Sequence, residues 1–129
     1  MRHLFAYGTL MRSELFRQVA GVRRDGLPGV LNGYRRRAVL GARYPAIVAD
    51  RGAEVMGLLY PKLPTSAWRS LDRYEGEMYQ RLPVSVELVD ERVVAAEAYV
   101  IRPAYRYRLA SCDWDEYEYL RSAVCLERM

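Results

Sequence analysis

The chain has 129 residues, of which 51% are hydrophobic and 28% charged, and its formal net charge is +4. This length and composition are typical of one globular domain with a core of its own. No apolar run approaches the roughly 20 residues that a membrane-spanning helix needs, and the first residues lack the apolar segment and cleavage site of a secretory signal.

Two cysteines and one histidine are present. This number is too small for a disulfide scaffold, and the spacing matches no zinc pattern. We therefore expect residues 1–129 to form a single cytoplasmic domain without a metal site.

The amino-terminal third of the chain predicts a strand, a helix and a second strand. Arg2–Tyr7 is the first strand, and Ser13–Ala20 is a short amphipathic helix that Ser13 caps and a glycine ends. Gly29–Leu40 is the second strand. We expect a tight turn at Asn32-Gly33 to interrupt it, because both residues accept positive φ.

The middle of the chain predicts a hairpin and a second helix. Ala46–Asp50 and Glu54–Tyr60 are two short strands joined by a loop. Two prolines end the second strand, and Thr65 then caps a helix that runs to about Glu75 and stops at Gly76.

The last third predicts another hairpin and a closing helix. Tyr79–Val89 and Val93–Ile101 alternate as strands, Arg102–Ser111 has no regular pattern, and Asp113–Glu127 is amphipathic. Asp113 and Glu116 form a capping pair for this helix. The short connections predict an α+β fold with a mixed or antiparallel sheet that can curl into a small barrel.

Arg35-Arg36-Arg37 is the densest basic stretch, and Lys62 is the one lysine of the chain. Such a stretch can bind nucleic acid, but three arginines outside a known binding motif are weak evidence. A solvated strand face explains them as well. We expect no nucleic-acid partner, and a basic interaction protein stays open as an alternative.

Glu75 has the most unusual predicted environment. Trp68, Leu71 and Glu75 follow the i, i+3, i+7 spacing of one helix face, whose first two members are core residues. A carboxylate at this place would be desolvated and would lie beside the negative end of the helix dipole. Both effects raise a pKa, which suits proton transfer near neutral pH. The alternative is that the helix ends one residue earlier and Glu75 faces water.

Tyrosines lie at or near several predicted strand ends, where side chains can line a pocket. Tyrosine is most often a packing residue at the edge of a core, so none of them defines a site alone. The tyrosines in question are Tyr7, Tyr44, Tyr79 and Tyr99.

Four motifs occur in order along the chain: YGTL at Tyr7–Leu10, YPAIV at Tyr44–Val48, VMGLLY at Val55–Tyr60 and LDRYEGEMYQRLPVSV at Leu71–Val86. Together they resemble the gamma-glutamylcyclotransferase-like family, particularly its small AIG2-like branch. The resemblance runs from the first predicted strand to the last and rests on the combination of motifs.

This resemblance implies a small mixed β-barrel flanked by helices, with a catalytic glutamate at Glu75. It also implies an anion-binding loop in which Gly8 lets the backbone turn sharply. The implied substrate-binding residues are Tyr7, Gly8, Thr9, Leu10, Tyr79 and Tyr99, to which the strand-end position adds Tyr44.

The implied reaction is the cyclisation of a gamma-glutamyl compound. The α-amine of the substrate attacks its own γ-carbonyl, and the products are 5-oxoproline and a free amine or amino acid. No nucleophilic side chain is needed because the nucleophile belongs to the substrate, and the sequence offers no cofactor motif. Glu75 would take a proton from the attacking amine and give one to the leaving amine.

The main alternative is a non-catalytic module of the same fold that binds a small carboxylate. The identity of the leaving amine stays open, and we expect the variable segments Gly41–Tyr44 and Arg102–Ser111 to recognise it. An exposed closing helix would also support a homodimer.

Overall fold

A computed structural model describes residues 2–114 of the chain. Its strands are β1 (Arg2–Ala6), β2 (Leu27–Val39), β3 (Pro45–Leu63), β4 (Tyr79–Leu88), β5 (Val93–Ile101) and β6 (Leu109–Asp113). Its α-helices are α1 (Ser13–Ala20) and α2 (Thr65–Glu75), and short 3-10 helices cover Thr9–Met11 and Pro103–Arg108.

Five strands close into a barrel in the order β3-β1-β5-β4-β2, because β2 pairs with β4 and also with β3. The β1–β5 pair is parallel, whereas the β1–β3, β2–β3, β2–β4 and β4–β5 pairs are antiparallel. Strand β6 lies against the carboxyl-terminal part of β2. This mixed barrel with flanking helices confirms the predicted α+β fold class.

The alternation of side chains along the strands separates two apolar clusters. One receives residues from all five barrel strands, including Phe5 of β1 and Leu31 of β2. The other joins the opposite strand faces to the two helices, with Phe16 of α1 and Trp68 of α2 among its members. The helices therefore cover the outside of the barrel wall and pack their apolar faces against it.

The first two of the three predicted helices are confirmed, with their glycine ends. Gly21 follows α1 with φ 76° and ψ 8°, and Gly76 follows α2 with φ 76° and ψ −168°. The predicted N-caps are wrong by one position, since Ser13 and Thr65 are already helical. Their predecessors are extended residues that make no side-chain capping hydrogen bond.

The predicted interruptions of the β2–β3 region are wrong. Strand β2 runs through Asn32-Gly33, and β3 is one strand where Ala46–Asp50 and Glu54–Tyr60 were expected as two. Gly33 and Gly52 do adopt positive φ, 87° and 90°. However, β2 and β3 are paired both before and after these glycines, so the glycines mark a register shift within one long hairpin.

Two further differences lie near the end of the described chain. Arg102–Ser111, predicted to be irregular, contains a 3-10 helix and the start of β6. Asp113 does not begin a helix but ends β6, where it pairs with Arg37 of β2. Trp114 is likewise not helical, and residues 115–127 of the predicted closing helix lie outside the described residues. Within residues 2–114, no helix is long and apolar enough to cross a membrane.

Candidate active site

A cavity of about 350 Å³ opens where β1 and β5 end and where β3 and β4 begin. The end of α2 and the 3-10 helix Pro103–Arg108 complete its walls. Every site residue named from the sequence lines this one cavity: Tyr7, Gly8, Thr9, Leu10, Tyr44, Glu75, Tyr79 and Tyr99. The barrel thus collects segments that are far apart in the chain.

The Tyr7–Leu10 loop is held at both ends by hydrogen bonds. Arg36 Nη1 donates to the Tyr7 carbonyl at 2.6 Å, and the Tyr60 hydroxyl donates to the Leu10 carbonyl at 2.8 Å. Within residues 2–114, neither the Gly8 nor the Thr9 N–H group donates to a backbone carbonyl. These amides therefore keep their hydrogen-bonding capacity for a ligand.

Glycine is needed at position 8 for a different structural reason from the one expected from the sequence. Its φ is −132°, so the backbone does not need the left-handed region. A Cβ atom at this position would lie 2.7 Å from both Cγ and Cδ of Pro45. Such a distance is far inside van der Waals contact, so glycine is required for the loop to pack against the start of β3.

Three buried tyrosines surround the inner part of the cavity, and each hydroxyl donates to a protein oxygen. Tyr7 donates to the Tyr99 carbonyl at 2.6 Å, and Tyr79 donates to the Pro45 carbonyl at 2.7 Å. Tyr99 donates to Asp72 Oδ1 at 2.6 Å. Burial raises the pKa of all three phenols, so they stay neutral at pH 7. Because the Tyr79 hydrogen is already engaged, its oxygen can serve a ligand only as an acceptor.

Glu75 is the last residue of α2 and shares a face with Trp68 and Leu71. Its side chain is half-buried, and burial raises the pKa of its carboxyl from 4.5 to about 7. This carboxyl forms no hydrogen bond or ion pair within residues 2–114. It therefore changes protonation state near neutral pH, and no neighbour in the described chain holds it in one form.

Sequence reasoning missed two residues next to the predicted ones. Asp72 accepts the Tyr99 hydrogen bond and forms an ion pair with Arg81 at 3.4 Å. Arg108 lines the cavity. Asp72 lies one helical turn before Glu75, a spacing that offered a signal, but nothing in the sequence distinguishes Arg108 from Arg106.

The arginine stretch on β2 is engaged within the fold. Arg35 pairs with Asp113 at 2.9 Å, and Arg36 stacks over Trp114 besides binding the Tyr7 carbonyl. Arg37 is half-buried, and its Nε has no hydrogen-bond partner within residues 2–114. Arg35 and Arg36 therefore connect β2 to its surroundings, and the absence of a nucleic-acid partner stays a prediction.

Comparison with known proteins identifies the family of the chain. Residues 4–116 match the family described as "Gamma-glutamyl cyclotransferase, AIG2-like". The chain belongs to this family. No curated protein matches it.

Solved structures of the same fold extend the comparison. A protein of Arabidopsis thaliana, solved in solution, is 26% identical with a TM-score of 0.78, over 94% of this chain and 74% of that one. An AIG2-like protein of Mus musculus is 21% identical with a TM-score of 0.70, over 99% and 97%. A structure titled "Gamma-glutamyl cyclotransferase" is 19% identical with a TM-score of 0.70, over 81% and 73%. At 21% and 19% identity, the last two show a shared fold.

Proposed function

We propose that this protein is a gamma-glutamyl cyclotransferase, which converts a gamma-glutamyl amine or amino acid into 5-oxoproline and a free amine. One observation carries the proposal: Glu75 lines the cavity, and burial raises the pKa of its carboxyl to about 7. Its place beside the Tyr7–Leu10 loop and the membership of the family support the same conclusion.

In this reaction Glu75 moves one proton. The substrate's α-amine is mostly protonated at neutral pH, so it first loses one proton to solvent, which frees the lone pair that attacks the γ-carbonyl. The Glu75 carboxylate accepts a second proton from this nitrogen as it attacks. A new bond joins this nitrogen to the γ-carbon, and the bond from the γ-carbon to the leaving nitrogen breaks. The Glu75 carboxyl then gives its proton to the leaving nitrogen. A pKa near 7 suits both steps, because neither protonation state is strongly favoured.

The other cavity residues would fold the substrate so that its ends meet. The Gly8 and Thr9 amides bind the α-carboxylate, and the Tyr79 oxygen accepts a hydrogen bond from the α-amine. Holding a flexible chain in a reactive conformation contributes strongly to the rate of ring closure. The chemistry calls for no cofactor, and a cytoplasmic location and a homodimer remain predictions from the sequence.

The direct test is Glu75→Gln, which keeps the size of the side chain and removes its proton transfer. We expect 5-oxoproline release from a panel of gamma-glutamyl compounds to fall by about 10²–10⁴-fold, the usual contribution of a general base. Glu87→Gln is the matched control, because Glu87 is an exposed glutamate of β4 outside the cavity. Circular dichroism verifies the folding of both variants.

Two results would contradict the proposal. Undiminished turnover by Glu75→Gln on a substrate that the wild type accepts would remove Glu75 from the reaction. Calorimetric binding of 5-oxoproline by a wild type that turns over no compound of the panel would instead identify a non-catalytic binding module.

A further inference from the structure

Arg108 is the cationic side chain of the cavity lining within residues 2–114. Two aromatic rings orient its guanidinium group. The guanidinium carbon lies 5.2 Å from the ring centre of Tyr105 and 5.6 Å from that of Tyr107, and Nε donates to the Tyr107 hydroxyl at 3.2 Å. Cation–π contacts of this kind restrain the plane of the group without neutralising its charge.

No carboxylate of the described chain pairs with Arg108. Other arginines do have such partners, for example Arg2 with Glu97 and Arg92 with Asp90. A guanidinium that is oriented by aromatic rings and lacks a described acidic partner is suited to bind a carboxylate through two parallel hydrogen bonds. Arg108 is exposed, so a ligand can reach it.

Arg108 and Glu75 belong to different parts of the cavity. Glu75 is the last residue of α2, whereas Arg108 belongs to the 3-10 helix Pro103–Arg108, and both line the same cavity. A substrate with its reacting carbonyl at Glu75 can therefore extend its leaving group along the cavity toward Arg108.

We propose that Arg108 binds a carboxylate on the leaving amine, so that gamma-glutamyl amino acids are preferred over gamma-glutamyl amines without that charge. Tyr44, Tyr74 and Tyr105, which also line the cavity, pack against the side chain of the leaving amino acid. The inference rests on the proposed function. It assigns the second carboxylate of the substrate, since the first is bound by the Tyr7–Leu10 loop.

A matched pair of substrates tests this specificity. Gamma-glutamyl-phenylalanine and its phenylalaninamide counterpart differ in one carboxylate. We expect the wild type to prefer the free acid by about 10- to 100-fold in kcat/KM, as charge-assisted hydrogen bonds provide. Arg108→Gln should lose most of this preference, because it should raise KM for the acid far more than for the amide. Arg106→Gln, in the same 3-10 helix but outside the cavity lining, should keep the preference.

The possible failures can be told apart. Equal kcat/KM for acid and amide in the wild type would overturn the Arg108 subsite while leaving the cyclotransferase function standing. An equal loss on both substrates in Arg108→Gln would do the same, because a carboxylate subsite acts only on the acid. Absence of 5-oxoproline release from either substrate and from the whole gamma-glutamyl panel would overturn both proposals. Circular dichroism of Arg108→Gln verifies that its fold is intact.

Discussion

At the scale of single residues, burial gives Glu75 its chemical character. The carboxyl sits at the end of α2, on the face that Trp68 and Leu71 bury, and loses part of its hydration there. The same desolvation keeps Tyr7 and Tyr79 neutral beside it. Glu77, two residues later, also lines the cavity but follows the end of the helix and is exposed to solvent. The proton-transfer property thus depends on burial and not on the residue type.

This burial should be visible as a pH-dependent loss of stability. Below pH 4.5 the Glu75 carboxyl is protonated in both the folded and the unfolded state, so it contributes nothing. As the pH rises from 4.5 to about 7, the unfolded state ionises first and the folded state loses stability. At 1.36 kcal/mol per pH unit this amounts to at most about 3 kcal/mol, and the loss stays constant above pH 7.

Glu75→Gln removes that loss. We expect the variant to match the wild type in urea unfolding near pH 4 and to exceed it by up to about 3 kcal/mol near pH 8.5. Glu87→Gln should show no pH-dependent difference, because Glu87 is exposed. An equal free energy of unfolding for the wild type and Glu75→Gln at the higher pH would mean that the carboxyl is not desolvated.

At the scale of elements, the glycine after α2 directs the chain into the site. Gly76 ends the helix directly after Glu75, and β4 begins at Tyr79. Its φ of 76° with ψ of −168° belongs to a region that is essentially open to glycine alone. Gly21 ends α1 with the same φ but with ψ 8°, in the ordinary left-handed region. The two helices therefore end in different conformations and send the chain in different directions.

Alanine substitution should separate these two helix ends. An added Cβ atom would meet no atom within 4 Å at either glycine, so only backbone strain differs. We expect Gly21→Ala to lower the free energy of unfolding by about 1 kcal/mol and Gly76→Ala to lower it by about 2–3 kcal/mol. Urea unfolding measures both changes. Equal losses of stability would argue that residue 76 can move to the ordinary left-handed region in the variant. The unusual conformation of Gly76 would then not determine the path of the chain into β4.

At the scale of the whole molecule, barrel closure depends on the close approach of β1 and β3. A Cβ atom at Gly57 of β3 would collide with the Ala6 carbonyl and lie 2.8 Å from Phe5 Cζ. Arg36 adds a second connection across the same region, from β2 to the Tyr7 carbonyl and, at 3.3 Å, to the Met56 carbonyl. Since the strand β1 leads into the Tyr7–Leu10 loop, the same packing that closes the barrel also places the site.

Gly57→Ala tests this closure. The added methyl group would push β1 away from β3, and we expect a loss of about 3 kcal/mol or more, at the upper end for overpacked cores. Gly52→Ala in the same strand is the control. Gly52 has φ 90° but an added Cβ would meet no atom within 4 Å, so its cost should stay near 1 kcal/mol. Similar losses in thermal or urea unfolding would show that the β1–β3 contact tolerates the methyl group.

Local sequence patterns determined both α-helices, their glycine ends, the helix face that carries Glu75 and the order of the family motifs. These properties depend on residues within a few positions of one another, so consecutive side chains are enough to reveal them. The motifs also named residues that the barrel brings to one cavity. What the sequence left open is the role of each residue there, which only the enzymatic tests decide.

The tertiary structure alone decided the features that depend on contacts between distant parts of the chain. Gly33 and Gly52 carry the signal of a turn, but the pairing of β2 with β3 on either side of them places them at a register shift within one hairpin. The need for Gly8 comes from Pro45, and the role of Arg108 as a cavity cation comes from the placement of its 3-10 helix. In each case the deciding contact joins residues far apart in the chain. Local backbone preference cannot encode such contacts, because they exist only once the barrel has closed.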